Sequence, residues 1–362
     1  MPLSIPARMS DQSQRSTVAA LLPPRPWGFG ARLKGRRYIG TALFACAIIG
    51  VLGAPVLAPH GSNDQFRGLL NAPPTVPRVI DDAGTWHAPF IYPWVLTNRL
   101  EQRFEQDRST RVRLVWLSRG TLVRSEDDAR APLMLGGADS FGRDVFSRLL
   151  YGARTSLGLA LIAAFGAALL GALIGGAAGY VGGVLDDALM RVSDFVLVLP
   201  AIYVVLALRA VLPLVLSTGQ VFGLLAAIFA VVGAPFVARG VRAIVRSERQ
   251  LEYAVAARSL GAGHARLLLR HLLPATSGFL VVQWTLLVPA FVVAEATLSY
   301  VGLGFPDPVA SWGQMLHDAS NVRALVDFPW LLSPAAAIFL VVLALNLLTQ
   351  SRPDRLPYTR PM

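Results

Sequence analysis

Three ionisable residues lie inside or at the edge of long apolar runs: Asp194, Arg209 and Glu295. A charged group in hydrocarbon is costly, so each is a candidate for a pathway or an interface between subunits. Asp194 stands at the end of a run, and Arg209 can reach back toward a surface. The two acids are the pore or subunit-interface candidates, Glu295 the stronger, with a structural hydrogen-bonding role as its alternative. A second kind of chemistry is written in LEYAVAARSLGAGHARLLLRHLLP, residues 251–274, which carries Arg258, Arg266 and Arg270 between two apolar runs and is jointed by Gly261 and Gly263. The residues of enzyme catalysis do not assemble. A P-loop needs Gly-x4-Gly-Lys-Ser/Thr to hold phosphates, and the lone lysine, Lys34, is followed by Gly35 without such a loop. There is no G-x-S-x-G elbow and no recognisable carboxylate pair, so no catalytic residue is assigned. Cys46 stands alone, and histidines 60, 87, 264, 271 and 317 form no HExxH pair, so no metal site is expected.

The elements that position these residues follow from composition. Of 362 residues, 54% are apolar and 15% charged, against roughly 25% charged in soluble domains. Mean hydropathy is +0.52. The apolar residues collect in six blocks, at 38–58, 155–179, 194–216, 221–238, 275–300 and 331–349, each near the roughly 20 residues that cross hydrocarbon as a helix. Pro200, Pro213 and Pro289 fall inside blocks, where membrane helices tolerate kinks. This is the pattern of an integral membrane protein.

Arginine sets the expected orientation. The leader 1–37 holds Arg8, Arg15, Arg25, Arg32, Lys34, Arg36 and Arg37 against Asp11, which places the N-terminus in the cytoplasm. Six crossings return the tail 351–362, with Arg352, Arg355 and Arg360, to the same side. Residues 239–270 carry arginines 239, 242, 246, 249, 258, 266 and 270. Burying these seven would cost roughly 20 kcal/mol, so the segment cannot span and is also cytoplasmic. The loop 59–151 must lie outside despite twelve arginines, because eleven acids leave it at net +1 and long loops translocate largely regardless of charge. The chain's net charge of +11 is thus a topology signal. No nucleic-acid partner is expected, and the lipid is.

Within that loop, residues 75–90 read as a hairpin turning at Asp82-Ala83-Gly84, and residues 112–123 as another turning at 118–120. Between them LTNRLEQRFEQDR reads as a charged, solvated helix. The expectation is a small α+β cap outside the membrane. In the second block Ala163, Ala167, Gly171, Gly175 and Gly179 recur at spacing four, a helix-packing stripe that lets backbones approach closely. In residues 251–274, Ala254, Ala256 and Ala257 present a small-residue face suited to a groove on another protein. Gly261 ends that helix, since glycine favours the left-handed backbone of a helix C-terminus. The second helix, 264–273, passes through Pro274 into the fifth block.

EYAVAARSLGAGHARLLLRHLLP resembles the EAA loop of ABC importer permeases, with Ala256, Ala257, Gly261, Leu273 and Pro274 in register and Val255 in place of the motif's glutamate. LGGADSFGRDVFSRLLYGARTSL (135–157), DDALMRVSDFVLVLP (186–200) and AEATLSYVGLGFPDPVASWGQMLHDA (294–319) are similar, in the same order, to segments of dipeptide, oligopeptide and nickel importer permeases. The resemblance implies an all-α, six-helix type I permease domain (152–350, after the first helix 38–58) carrying the cap as an insertion. It implies a multi-pass inner-membrane subunit that pairs with a second homologous permease. Two ABC ATPase subunits, using ATP and Mg, would dock on the coupling loop at Glu252, Val255, Ala256, Ala257, Arg258, Gly261 and Pro274. An extracytoplasmic solute-binding protein would deliver a peptide or similar small solute near the cap. This chain would bind no cofactor itself.

Overall fold

The first apolar run lies in helix α1 (Phe29–Leu57), which leads into a cap built of strands. The computed structural model describes residues 29–99, 101–118, 120–211, 216–320 and 326–350. The leader up to residue 28, Pro213, the Arg209 side chain and the tail 351–362 lie outside what it describes. In the cap, β1 (Arg78–Ile80), β2 (Trp86–Ile91), β5 (Val112–Ser118) and β6 (Thr121–Ser125) form one antiparallel sheet in the order β1-β2-β5-β6. Phe90 stands opposite Arg113, and Trp116 opposite Val123. Ile91, Val112, Leu114, Ala131 and Leu133 close its small core. Both expected hairpins are present, turning at Gly84 and Gly120.

The segment expected to be a charged helix is instead a hairpin of β3 (Trp94–Asn98) and β4 (Arg103–Gln106), with Leu96 opposite Phe104. The charges misled because their true period is two. In β4, Arg103 and Glu105 are exposed while Phe104 and Gln106 are half-buried, the alternation of a strand with one covered face. Among its described residues the cap is therefore β-strand and turn, without the helix of the expected α+β insertion.

Helix α2 (Val145–Val181) follows, started by Asp144, whose carboxylate accepts from Phe146 N at 3.2 Å and Ser147 N at 3.1 Å. Its 37 residues exceed the expected block by ten at the start. Next come α3 (Gly183–Val198), α4 (Ala201–Val211) and α5 (Thr218–Glu248). The expected third crossing, 194–216, is thus not one helix. Pro200 has no N–H to donate and pushes Leu199 into extended backbone (φ −77°, ψ 115°), which breaks it. α5 runs past residue 238, so the arginine-rich stretch begins on the same helix.

After α5 come α6 (Glu252–Ser259), α7 (His264–Leu267), a π-helical turn (Leu268–Leu272), a last turn (Leu273–Ala275), α8 (Ser277–Tyr300), α9 (Trp312–Asp318) and α10 (Ser333–Gln350). Among the described residues, five helices are long and apolar enough to cross a membrane: those over Tyr38–Leu57, Val145–Val181, Thr218–Glu248, Ser277–Tyr300 and Pro329–Thr349.

The glycine stripe of α2 meets the backbone of α5. A Cβ added at Gly171 would stand 2.5 Å from Val237 Cβ, and one at Gly179 would stand 2.6 Å from the Arg242 carbonyl oxygen. One at Gly175 would collide with the carbonyl of Ala238. Lipid tails are as apolar as leucine, so helices in a membrane are held by this close packing rather than by expulsion from water.

Candidate functional site

The site grows from the end of α5. Val237, Val241 and Val245 on that helix, with Ala254, Leu267 and Leu272, make a small apolar cluster that seats α6 and α7 against the membrane domain. Helical spacing turns Ala254 inward and leaves Ala257 half-buried, while Glu252, Val255, Ala256 and Arg258 face out. The three alanines therefore do not share one free face as expected. The outward surface is more apolar than that, because Val255 and Leu260 are 53% and 88% exposed.

α6 ends in a complete Schellman motif. The Ala262 N–H donates to Ala257 O at 3.1 Å and the Gly261 N–H to Arg258 O at 3.0 Å, with Gly261 at φ 83°. The chain then re-enters helix at His264, whose Nδ1 lies 2.5 Å from the Tyr180 hydroxyl on the last turn of α2. Arg249, just past α5, donates to the Tyr180 carbonyl. The arm beyond the joint passes through the π turn because Pro274 cannot donate a helical hydrogen bond. Fully buried Thr276 marks the step into α8, its hydroxyl donating to Leu273 O at 2.7 Å. A short docking-sized helix, a glycine joint and a membrane helix are thus one continuous unit.

Asp194 is exposed and paired with Arg239. Asp186 on α3 takes a two-pronged bond from Arg242 on α5, Nη2 to Oδ2 at 2.6 Å. Glu295 is fully buried within the chain. Ser299 Oγ donates to its Oε1 at 2.7 Å, and the hydroxyls of Ser156 on α2 and Ser311 before α9 also face it. Each serine oxygen accepts a backbone N–H as well: Ser299 from Phe305, Ser156 from Trp312 and Ser311 from Gln314. Glu295 is thereby the centre of a junction between α2, α8 and α9.

Sequence reasoning missed the ion cluster at the cap end of α2. Arg143, fully buried, donates to Asp139 Oδ2 at 2.7 Å, Asp307 Oδ1 at 2.6 Å and Asp318 Oδ2 at 2.9 Å. Arg148, almost as buried, donates to the Ser62 carbonyl at 3.1 Å. Burial opposes the charge on Arg143, but Asp139 and Asp307 outweigh it and raise its pKa. Burial pushes the Asp318 carboxyl up against the pull of Arg143 and Arg148. Nearby, His60 sits between Asp144 (3.5 Å) and Asp128 (3.7 Å). Burial alone would lower its pKa, yet the two carboxylates hold it up at about 9. The cluster ties the start of α2 to the loop around α9. The only available signal was that the residues fall in two of the quoted segments.

Residues 168–351 match a family model described as binding-protein-dependent transport system inner membrane component. The chain is 38% identical over 222 residues to the dipeptide transport system permease protein DppC of Bacillus subtilis, covering 61% of this chain and 67% of that one. It is 37% identical over 221 residues to the oligopeptide transport system permease protein OppC of the same bacterium, covering 61% and 70%. A putative peptide transport system permease protein of Brucella abortus is 37% identical over 274 residues, covering 71% of this chain and 88% of that one.

Proposed function

This chain belongs to the binding-protein-dependent transport system inner membrane components, as an ABC importer permease of the dipeptide and oligopeptide family, and from that premise we propose that it forms, with a second homologous permease, the translocation path for a peptide. Two separate ABC ATPases supply ATP hydrolysis, with Mg, and press on this chain through residues 251–274. A solute-binding protein delivers the peptide on the cap side. In this reading α3 and α4 together make a sixth, broken crossing. Both termini and residues 239–273 are cytoplasmic, as the arginine distribution supports.

The observation that carries the reading is the jointed arm. α6 offers Val255 and Arg258 outward with Leu260 at its C-cap, and the four-residue joint 260–263, α7 and the π turn connect it to α8. A push on α6 is therefore delivered to a membrane helix. Val255 carries no charge, so docking at that position rests on shape, and Arg258 supplies the nearest cation. The test is purification of the tagged chain from its native membrane in mild detergent. Expected is a complex with a second permease and two P-loop ATPases whose hydrolysis rises with peptide-loaded binding protein. An intact chain that retains no ATPase would overturn the proposal.

A further inference from the structure

The cap core stops short of the tip of the β5–β6 hairpin. Leu114 is buried and Val123 packs beneath the sheet, but the next residues outward have no cover. Trp116 is 57% exposed and Leu117 is 78% exposed, with Leu122 across the ladder and Val115 beside them also exposed. Leu117 has φ 52°, a left-handed backbone that a bulky side chain adopts only under strain, and it leaves the leucine projecting outward. An exposed tryptophan–leucine tip of this kind has no use in folding the cap.

Its position identifies the occupant. β6 packs against α1, the membrane-crossing helix that precedes the cap. The last turns of α1 leave Ile49, Leu52 and Val56 exposed, so the helix that β6 packs against has an uncovered apolar side. Gly120, at φ 84°, stands in the turn of the hairpin. Tryptophan suits the boundary between acyl chains and headgroups, where an amphipathic ring sits well. We propose that this hairpin tip is a lipid anchor, seating Trp116 and Leu117 in the headgroup region beside α1 and fixing the height of the cap above the membrane.

The proposal does not depend on what the chain transports. The full chain, in a Cys46→Ser background, is labelled with a nitroxide at Leu117→Cys or Leu122→Cys and placed in nanodiscs of phosphatidylethanolamine and phosphatidylglycerol. A label at exposed Ala83→Cys, in the β1–β2 turn, serves as the reference. Collisions with dissolved oxygen should exceed those with a water-soluble nickel chelate at 117 and 122, and the order should reverse at 83. Chelate collisions dominating at both hairpin positions would overturn the anchor. So would protection of the tip that appears only when the solute-binding protein is added, which would make it a protein-docking surface.

Discussion

Replacing Gly261 isolates the joint from everything around it. No atom lies within 4 Å of a Cβ built there, so a larger side chain meets open space and the whole penalty is in the backbone. At φ 83° an L-residue costs about 1–2 kcal/mol relative to glycine, which lowers the population of the correctly bent joint roughly 5- to 30-fold. Valine, branched at Cβ, should exceed alanine, whereas asparagine tolerates left-handed angles better than either. The expected order of activity is Gly261, then Gly261→Asn, Gly261→Ala and Gly261→Val. All four should show the same abundance and membrane insertion, because the joint lies outside the packed helices. The assay is ATP hydrolysis stimulated by loaded binding protein, with peptide uptake, in proteoliposomes holding the complete transporter. Gly261→Val should lower both the most, by roughly 30-fold or more. Normal uptake by Gly261→Val with its ATPases bound would refute the reasoning, and an asparagine variant as inactive as the valine one would refute the backbone account of it.

Gly175→Ala should destabilise the membrane domain by about 1–3 kcal/mol, because its methyl group runs into the Ala238 carbonyl, while Gly158→Ala, with nothing within 4 Å, should be silent. Thermal denaturation in detergent compares the two. His60 gains its proton affinity on folding, so the stability it contributes is complete below pH 6.5 and is lost as pH rises through about 9. The loss amounts to about 3 kcal/mol, with Asp128, Asp144 and the Arg124 that pairs with Asp128 as the charges around the ring. Denaturant unfolding across that range, with His60→Gln as a variant lacking the slope, checks it. In intact cells a membrane-impermeant thiol reagent should miss Arg258→Cys in a Cys46→Ser background, and labelling there would reverse the topology. Deleting residues 75–125 should lower uptake while leaving insertion and ATPase assembly unchanged, and full uptake would show that the cap is dispensable.

What the sequence made legible was local. Gly261 could be read as a helix end because the Schellman bonds join residues within one turn, and the stripe from Gly171 to Gly179 because it repeats on one helix face. Both β1–β2 and β5–β6 announced themselves through turn residues between β-prone runs. The β3–β4 hairpin was hidden by its charges, and only the alternating burial of Phe104 and Gln106 shows the strand. The break at Leu199–Pro200 was read as a tolerated kink, since a proline alone does not say whether a neighbouring helix restores the interrupted ladder. The Arg143 cluster was beyond reach for a different reason. Its partners Asp307 and Asp318 are 164 and 175 residues away, and no local pattern encodes a pairing that only the folded chain creates. Ala254 failed as a docking residue because an alanine face looks the same from either side.

The glycine seam divides the molecule mechanically. Where backbone touches backbone, as at Gly175 and Ala238, two helices can neither slide nor roll without collision, so α2 and α5 move as one girder. Among the described residues, breaks between helices elsewhere include Pro200 between α3 and α4, Gly261, the π turn and Thr276 before α8. In the proposed importer, a stroke would then fall on α3–α4 and α6–α8 swinging on that girder, and the expected result is that distances between labels on α2 and α5 stay constant through the cycle.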